Sequence, residues 1–275
     1  MALDIHDHSF SFAFGLLGNI LSFLVYLAPL PTFYRIFKKK STEGFQSIPY
    51  SVALFSAMLL LYYAFLKKHD ASMLITINTI GCCIESIYLF LYMIYATKTA
   101  RVYTTKLLIF FNIGALGLII LVTLASFHGR LRVTIVGWIC AIFSVCVFAA
   151  PLSIIRSVIK TKSVEYMPLP LSFFLTLCAV TWFLYGYSLR DFYIATPNIL
   201  GFSFGVTQMI LYVLYRGGTK EAMLPKSSSK LELEQFPNAV VRQSTVNQTQ
   251  EAAMNYGVGG TISSNSQIVP TQLNV

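Results

Sequence analysis

Residues 9–34, 44–66, 107–127, 133–155, 166–189 and 192–215 of this chain hold no Asp, Glu, Lys or Arg, and residues 71–97 hold one, Glu85. About 20 residues of helix cross the hydrocarbon core of a bilayer, and each stretch is that long. The sequence therefore predicts an all-α membrane protein with seven transmembrane helices. Composition points the same way, with 56% hydrophobic and 11% charged residues, against roughly 25% charged in an average soluble domain. A mean hydropathy of +0.66 with 22 Phe and 16 Tyr does not fit inside one ordinary core, which excludes a soluble globular enzyme. The net charge of +9 could suggest nucleic acid as a partner. The Lys and Arg residues fall in short clusters between apolar spans, however, and read as topology signals instead.

The residues before the first span, Asp4, His6, Asp7 and His8, are acidic rather than basic, and no small-residue cleavage pattern follows. The first span is therefore expected to persist and not to act as a cleaved signal. With the amino terminus outside, the inner loops and tail hold fifteen Lys and Arg, whereas the outer loops hold five: Lys67, Lys68, Arg130, Arg132 and Arg190. The positive-inside rule thus predicts an outer amino terminus and a cytosolic carboxyl terminus. Cys82, Cys83, Cys140, Cys146 and Cys178 all lie within spans and are odd in number, so free thiols are expected.

Self-similarity is the most informative feature. At an offset of 122, Gly15 matches Gly137, Ser22 matches Ser144, Val25 matches Val147 and Pro29 matches Pro151. Lys38, Lys40, Ser41 and Glu43 match Lys160, Lys162, Ser163 and Glu165, and Tyr63 matches Tyr185. A drift of two then aligns Asn78 with Asn198 and Gly81 with Gly201. Paired Pro, Asn and K-x-K-S-x-E at a common offset indicate duplication. Each copy has three spans, so an intervening fourth is needed to return the second copy to the same orientation. The expected organisation is 1–98, first three-helix repeat; 99–130, linker helix; 131–216, second three-helix repeat; and 217–275, a disordered cytosolic tail.

Depth arithmetic locates a candidate site. At 1.5 Å per residue, Trp182 lies about 10 Å from the outer end of its span, and Asn198 lies in the same layer. Leu60 and Asn78 occupy that layer in the first copy, with Ser56 and Cys178 about a turn deeper. Aromatic faces and paired amides suit a sugar, whose C–H faces stack on rings and whose hydroxyls need donors and acceptors. Polar residues also simply hold membrane helices together. Two Asn at matched depth, with Pro197 breaking the helix before one of them, favour a pore.

The stretches YLAPLPTFYRIFKKKSTEGFQSIPY, FAAPLSIIRSVIKTKSVEYMP and ATPNILG resemble the paired signature regions of the plant SWEET sugar transporters (MtN3/saliva type), over roughly residues 9–216. The three-one-three arrangement of parallel repeats is known for that family. The resemblance implies that Asn78 and Asn198 bind sugar beside Trp182, and Leu60 stands where a second Trp is common. It further implies that Pro29, Pro49, Pro151 and Pro168 form a hinge and inner gate, although Pro49 and Pro168 also suit ordinary first-turn prolines. Tyr63, Lys67 and Asp191 resemble the family's outer latch. Ser22, Val25, Ser144 and Val147 are small, which describes a cavity roomy enough for a disaccharide, and the chain is most similar to the sucrose-transporting branch.

The expected function is bidirectional facilitative transport of sucrose across the plasma membrane by alternating access, with a hexose uniporter as the alternative. Less favoured are a proton-coupled carrier with Glu85 as the proton site and a seven-span receptor, which the short loops and three-span repeat oppose. No carboxylate pair, metal-ligand cluster or nucleophile and base falls within the spans, and no Walker motif is present, so neither enzyme chemistry, metal nor cofactor is expected. Glu85, whose repeat counterpart is Gly205, is expected to be structural and paired with a hydroxyl. The sequon at Asn247 falls on the predicted cytosolic side. Ser227, Ser228 and Ser229 are phosphorylation candidates in a tail that reads more simply as a tether. The expected partners are sugar and lipid, with homo- or hetero-oligomers of like transporters left open.

Overall fold

The computed structural model describes residues 2–67, 71–164, 167 and 169–216. The described residues all fall within one compact unit. The tail beyond residue 216, Glu165 and Pro168 lie outside the described residues. Among the described residues, ten α-helices run in chain order: α1 (Ala2–Leu27), α2 (Leu30–Lys39), α3 (Ile48–Lys67), α4 (Ser72–Tyr95), α5 (Lys98–Leu108), α6 (Leu116–Ser126), α7 (Gly129–Val147), α8 (Ala149–Thr161), α9 (Leu169–Ser188) and α10 (Phe192–Tyr215). A π-helical stretch, Ile109–Ala115, joins α5 to α6 without a break. Merged across such joints, they give seven helices long and apolar enough to span a membrane.

The joints follow from local chemistry. Pro29 has no N–H to continue the ladder of α1. The chain tightens there, Ala28 N–H donating to Val25 O at 3.0 Å, and restarts with Phe33 N–H on Pro29 O at 3.1 Å. The second copy breaks two residues earlier in the repeat register, where Phe148 N–H turns to Val145 O at 3.1 Å, three residues before Pro151. Pro49 sits in the first turn of α3. Both K-x-K segments end their helix in the left-handed region, Lys40 and Lys162 each at φ 53°. Between α9 and α10 the chain reverses so sharply that a Cβ on Gly186 would lie 2.8 Å from Ala195 N, so only Gly fits.

Within each repeat the first helix packs on the third and the third on the second, α1–α4–α3 and α7–α10–α9. The repeats meet through α1 on α9 and α3 on α7, which closes a ring of six helices. The fourth spanning helix leans on the outside of α3 and α7. It runs from Lys98 to Ser126, and α7 starts at Gly129 rather than after the 130–132 charges. Those charges mislead a reading by charge because they belong to the first turn of α7. There Arg132 Nε donates to Phe127 O at 2.8 Å and caps the preceding helix end.

Apolar side chains point outward, as lipid requires, with Phe110, Ile113, Leu121 and Phe192 among the most exposed. Polar residues such as Ser51, Asn78, Thr104, Thr123 and Gln208 are buried. Two small clusters pin the segments after the proline breaks: Phe33 and Ile36 against α4, and their counterparts Ile155 and Val158 against α10. All five cysteines are free thiols.

Candidate functional site

The ring of six helices encloses a cavity of about 330 Å3. Its lining repeats the duplication, with Ser22 and Ser144, Tyr26 and Phe148, Leu60 and Trp182, Leu74 and Ile194, Ile77 and Pro197, and Asn78 and Asn198 all facing it. Each asparagine is held in the same way. Asn78 Nδ2 donates to Leu74 O at 2.8 Å and Asn198 Nδ2 to Ile194 O at 2.7 Å. An amide tied back through one N–H keeps its acceptor oxygen and a second N–H. Two such groups on opposite halves can grip a polyol.

Trp182 is the best-anchored ring in the wall. Its Nε1–H donates to Ser22 Oγ at 2.9 Å, and Ser22 Oγ lies 3.8 Å from Cys178 Sγ. Tyr185 meets the indole edge-on at 5.3 Å and 85°. At one end of the ring the two halves are joined. Asp191 Oδ2 accepts from Tyr63 OH at 2.8 Å and from Lys67 Nζ at 2.6 Å. Its Oδ1 accepts from the backbone N–H groups of Tyr193 and Ile194, capping α10. The carboxylate thus lies at the positive end of a helix dipole and beside a cation, buried with Tyr63.

Of the residues singled out from sequence, Asn78, Asn198, Trp182, Ser22, Val25, Ser144, Leu60 and Cys178 line this cavity, and Tyr63, Lys67 and Asp191 form the closed end. Ser56 is half-buried in α3 and is not in the lining. Val147 sits at the end of α7 with 39% of its surface exposed, and its neighbour Phe148 reaches the cavity instead. Pro29 and Pro151 mark the helix breaks; Pro49 is exposed at the start of α3.

Glu85 is buried, with the phenols of Tyr26, Tyr50 and Tyr88 in electrostatic range. Its Oε2 has no hydrogen-bond partner, so the expected hydroxyl pairing is not made at that atom. Sequence reasoning missed Tyr26, Phe148, Tyr193 and the aliphatic pair Leu74 and Ile194. The offset of 122 that paired Ser22 with Ser144 also pairs Tyr26 with Phe148, and would have found them. Each of these two rings lies over a glycine of its own repeat's third helix. A Cβ on Gly81 would strike the Tyr26 phenol, and one on Gly201 would come within 3.2 Å of Phe148.

Comparison with known proteins places this geometry. A family model described as sugar efflux transporter for intercellular exchange matches residues 12–100 and 134–220. The bidirectional sugar transporter SWEET13 of Oryza sativa subsp. japonica is 60% identical over 216 residues, covering 78% of this chain and 73% of the relative. The bidirectional sugar transporter N3 of Medicago truncatula is 53% identical over 253 residues, covering 92% and 93%. The solved structure of a eukaryotic SWEET transporter superposes with a TM-score of 0.72 at 35% identity, covering 78% of this chain and 99% of that one.

Proposed function

The chain belongs to the SWEET family of membrane sugar transporters and is not an enzyme, and from that premise we propose that it carries sucrose in either direction as a uniporter, by rocking its two halves about the central cavity. The observation that carries the reading is the join between the halves. Tyr63 and Lys67 belong to the first repeat and Asp191 to the second, so opening that end requires breaking their contacts. At the opposite end, Pro29 and Pro151 leave gaps in the helix ladders where α1 and α7 can bend without losing a full set of hydrogen bonds. With the amino terminus outside, the Asp191 end is the outer gate, Pro29, Pro49, Pro151 and Pro168 serve the inner one, and the structure stands in a state closed to the outside. The plasma membrane is the proposed location, and self-association or association with like transporters is compatible with the lipid-facing surface.

Sucrose is favoured over hexose by the small side chains Ser22, Val25 and Ser144 and by Leu60 in place of an indole. The cavity volume falls in the lower part of the range of about 300–1,000 Å3 typical of small-molecule sites. Among the described residues the cavity lining holds no Asp, Glu, His, Lys or Arg, which supports uniport over proton coupling.

The test is uptake and efflux of labelled sucrose, glucose and an amino acid in cells without carriers of their own. Sucrose should move down its gradient both ways with little pH dependence. Glucose transport without sucrose transport would replace the sucrose reading with the hexose one. Steep acceleration by an inward proton gradient, abolished by Glu85→Gln, would replace uniport with symport.

A further inference from the structure

The Asp191 carboxylate is held on both of its oxygens, and each is held by something different. Oδ2 accepts from Tyr63 OH and Lys67 Nζ of the first repeat, at 2.8 and 2.6 Å. Oδ1 accepts from the backbone N–H groups of Tyr193 and Ile194, at 3.2 and 3.4 Å. Both of those residues line the cavity. The turn of α10 that steadies the lock is therefore a turn that the contents of the cavity touch. The Tyr193 side chain adds a second connection, since its ring meets the Tyr63 ring edge-on at 6.2 Å and 77°. It also meets the Trp138 ring of α7 at 5.5 Å and 75°, and lies so close to α7 that a Cβ on Gly137 would stand 2.6 Å from it. One side chain thus touches the cavity, the lock and the neighbouring helix.

The equivalent turn of α4 is built differently. Ala71 stands in the place of Asp191 and begins α4 with no side-chain cap. Met73 stands in the place of Tyr193 and packs over Gly15 as Tyr193 packs over Gly137, a Cβ on Gly15 falling 2.6 Å from Met73 Cγ. Met73 is not in the cavity lining. A side chain needed only to fill the space over the glycine could be Met in both repeats. The ring that reaches cavity and lock together stands in the repeat that carries the locking carboxylate.

We propose that Tyr193 is a positioning residue that couples the filling of the cavity to the outer lock, sugar against its ring favouring the closed lock. This rests on the sugar-carrier reading above. Coupling requires two states that the sugar tells apart. With the lock closed, Tyr63 backs the Tyr193 ring and holds it in the cavity wall. Opening carries Tyr63 away with α3, and the sugar then faces a ring without its support. By linkage, the lock strengthens sugar binding by the same factor by which sugar strengthens the lock.

Equilibrium binding of labelled sucrose to the full chain in lipid nanodiscs, with the lock intact and broken, tests the coupling as a double-mutant cycle. Asp191→Asn removes the charge that holds Lys67 but keeps an oxygen for the helix cap, since Asn caps as well as Asp. Alone it should weaken sucrose binding about fivefold or more. In a Tyr193→Met background it should weaken binding by less than about twofold. Tyr193→Phe keeps the ring, and in that background the full effect of Asp191→Asn should return. A second readout is hydrogen exchange at the backbone N–H groups of Tyr193 and Ile194, which sucrose should slow in the wild type and not in Tyr193→Met. Exchange at Met73 and Leu74 should not respond. If Tyr193→Met does not fold, the Tyr193→Phe cycle and exchange in the wild type still decide. Independent effects of Asp191→Asn and Tyr193→Met, loss of the coupling in Tyr193→Phe, or exchange at Tyr193 and Ile194 that ignores sucrose overturns the proposal while sucrose binding by the wild type stands. A wild type that neither binds nor carries sucrose overturns the underlying reading instead.

Discussion

The two repeats agree closely at the end with the proline breaks and diverge at the other. Lys40 Nζ reaches Tyr95 OH at 3.2 Å, and its counterpart Lys162 reaches Tyr215 OH at 2.8 Å, each ammonium also lying over its phenol ring. The left-handed caps, the broken helices and the ring-over-glycine contacts recur in the same way. At the latch end, Tyr63, Lys67 and Asp191 have as counterparts Tyr185, Leu189 and Ala71, which cannot build a second latch. Hinges must exist in both halves if both are to bend. A lock that already spans the halves is needed only once, and a second copy would slow opening without adding closure. On the proposed rocking mechanism, the divergence separates parts that move from parts that hold.

The strongest way to break this comparison is through the part both halves share within the cavity. Asn78→Ala and Asn198→Ala should each cut sucrose transport about tenfold or more at unchanged surface expression, because a sugar hydroxyl loses its partner in a desolvated site. Transport that survives either change would show that only one half grips the substrate.

Next is the lock. Asp191→Asn should strand Lys67, and removing one partner of a buried pair costs about 3–5 kcal/mol, less here because Lys67 is 20% exposed. The outer-closed state should lose population, seen as faster labelling of Leu60→Cys by a membrane-impermeant thiol reagent from outside. Tyr63→Phe should do the same more weakly, and Tyr185→Phe should not. Equal effects of the two tyrosines would end the single-lock argument.

The hinges come third. Pro29→Ala and Pro151→Ala should each slow turnover severalfold with little change in KM, since a restored N–H stiffens the break rather than altering the pocket. Unchanged turnover in both would remove the prolines from the mechanism.

Much of this was legible in the sequence, for physical reasons. Lipid forces apolar length, so the seven spans can be counted, and duplication forces coincidence of Pro, Asn and K-x-K, so the repeat can be aligned. What escaped was direction around a helix axis near a break. Val147 follows Val25 in the alignment, but the chain tightens at Phe148, turning Val147 outward and the Phe148 ring inward. Ser56 and Cys178 align too, but only Cys178 is in the lining, beside Ser22. This difference gives a smaller, sharper test. Val25→Met should depress sucrose transport more than glucose transport by a fewfold factor, since overpacking costs about 1–3 kcal/mol. Val147→Met should not.

The smallest expected effect lies outside the membrane, where the K-x-K-S-x-E loops differ in their cations. Glu43 accepts from Lys39 Nζ and Arg35 Nε. The hydrogen bond from Lys39, then that from Arg35, holds its carboxyl below the ordinary carboxylate range. The second-copy counterparts of Arg35 and Lys39 are Ser157 and Thr161, so Glu165 has no cation at those two positions. A carboxyl whose folded pKa is depressed adds stability above its ordinary value, and that contribution fades as pH falls through the depressed one. Glu43→Gln should therefore lower the thermal midpoint slightly at neutral pH, and the difference should vanish in acid. Because the pair is exposed to solvent, added salt should shrink it as well. Glu165→Gln should shift the midpoint less, since Ser157 and Thr161 carry no charge. Matching shifts in the two variants would mean that the second loop finds its cation elsewhere, and that the repeats agree at this end more fully than their sequences do.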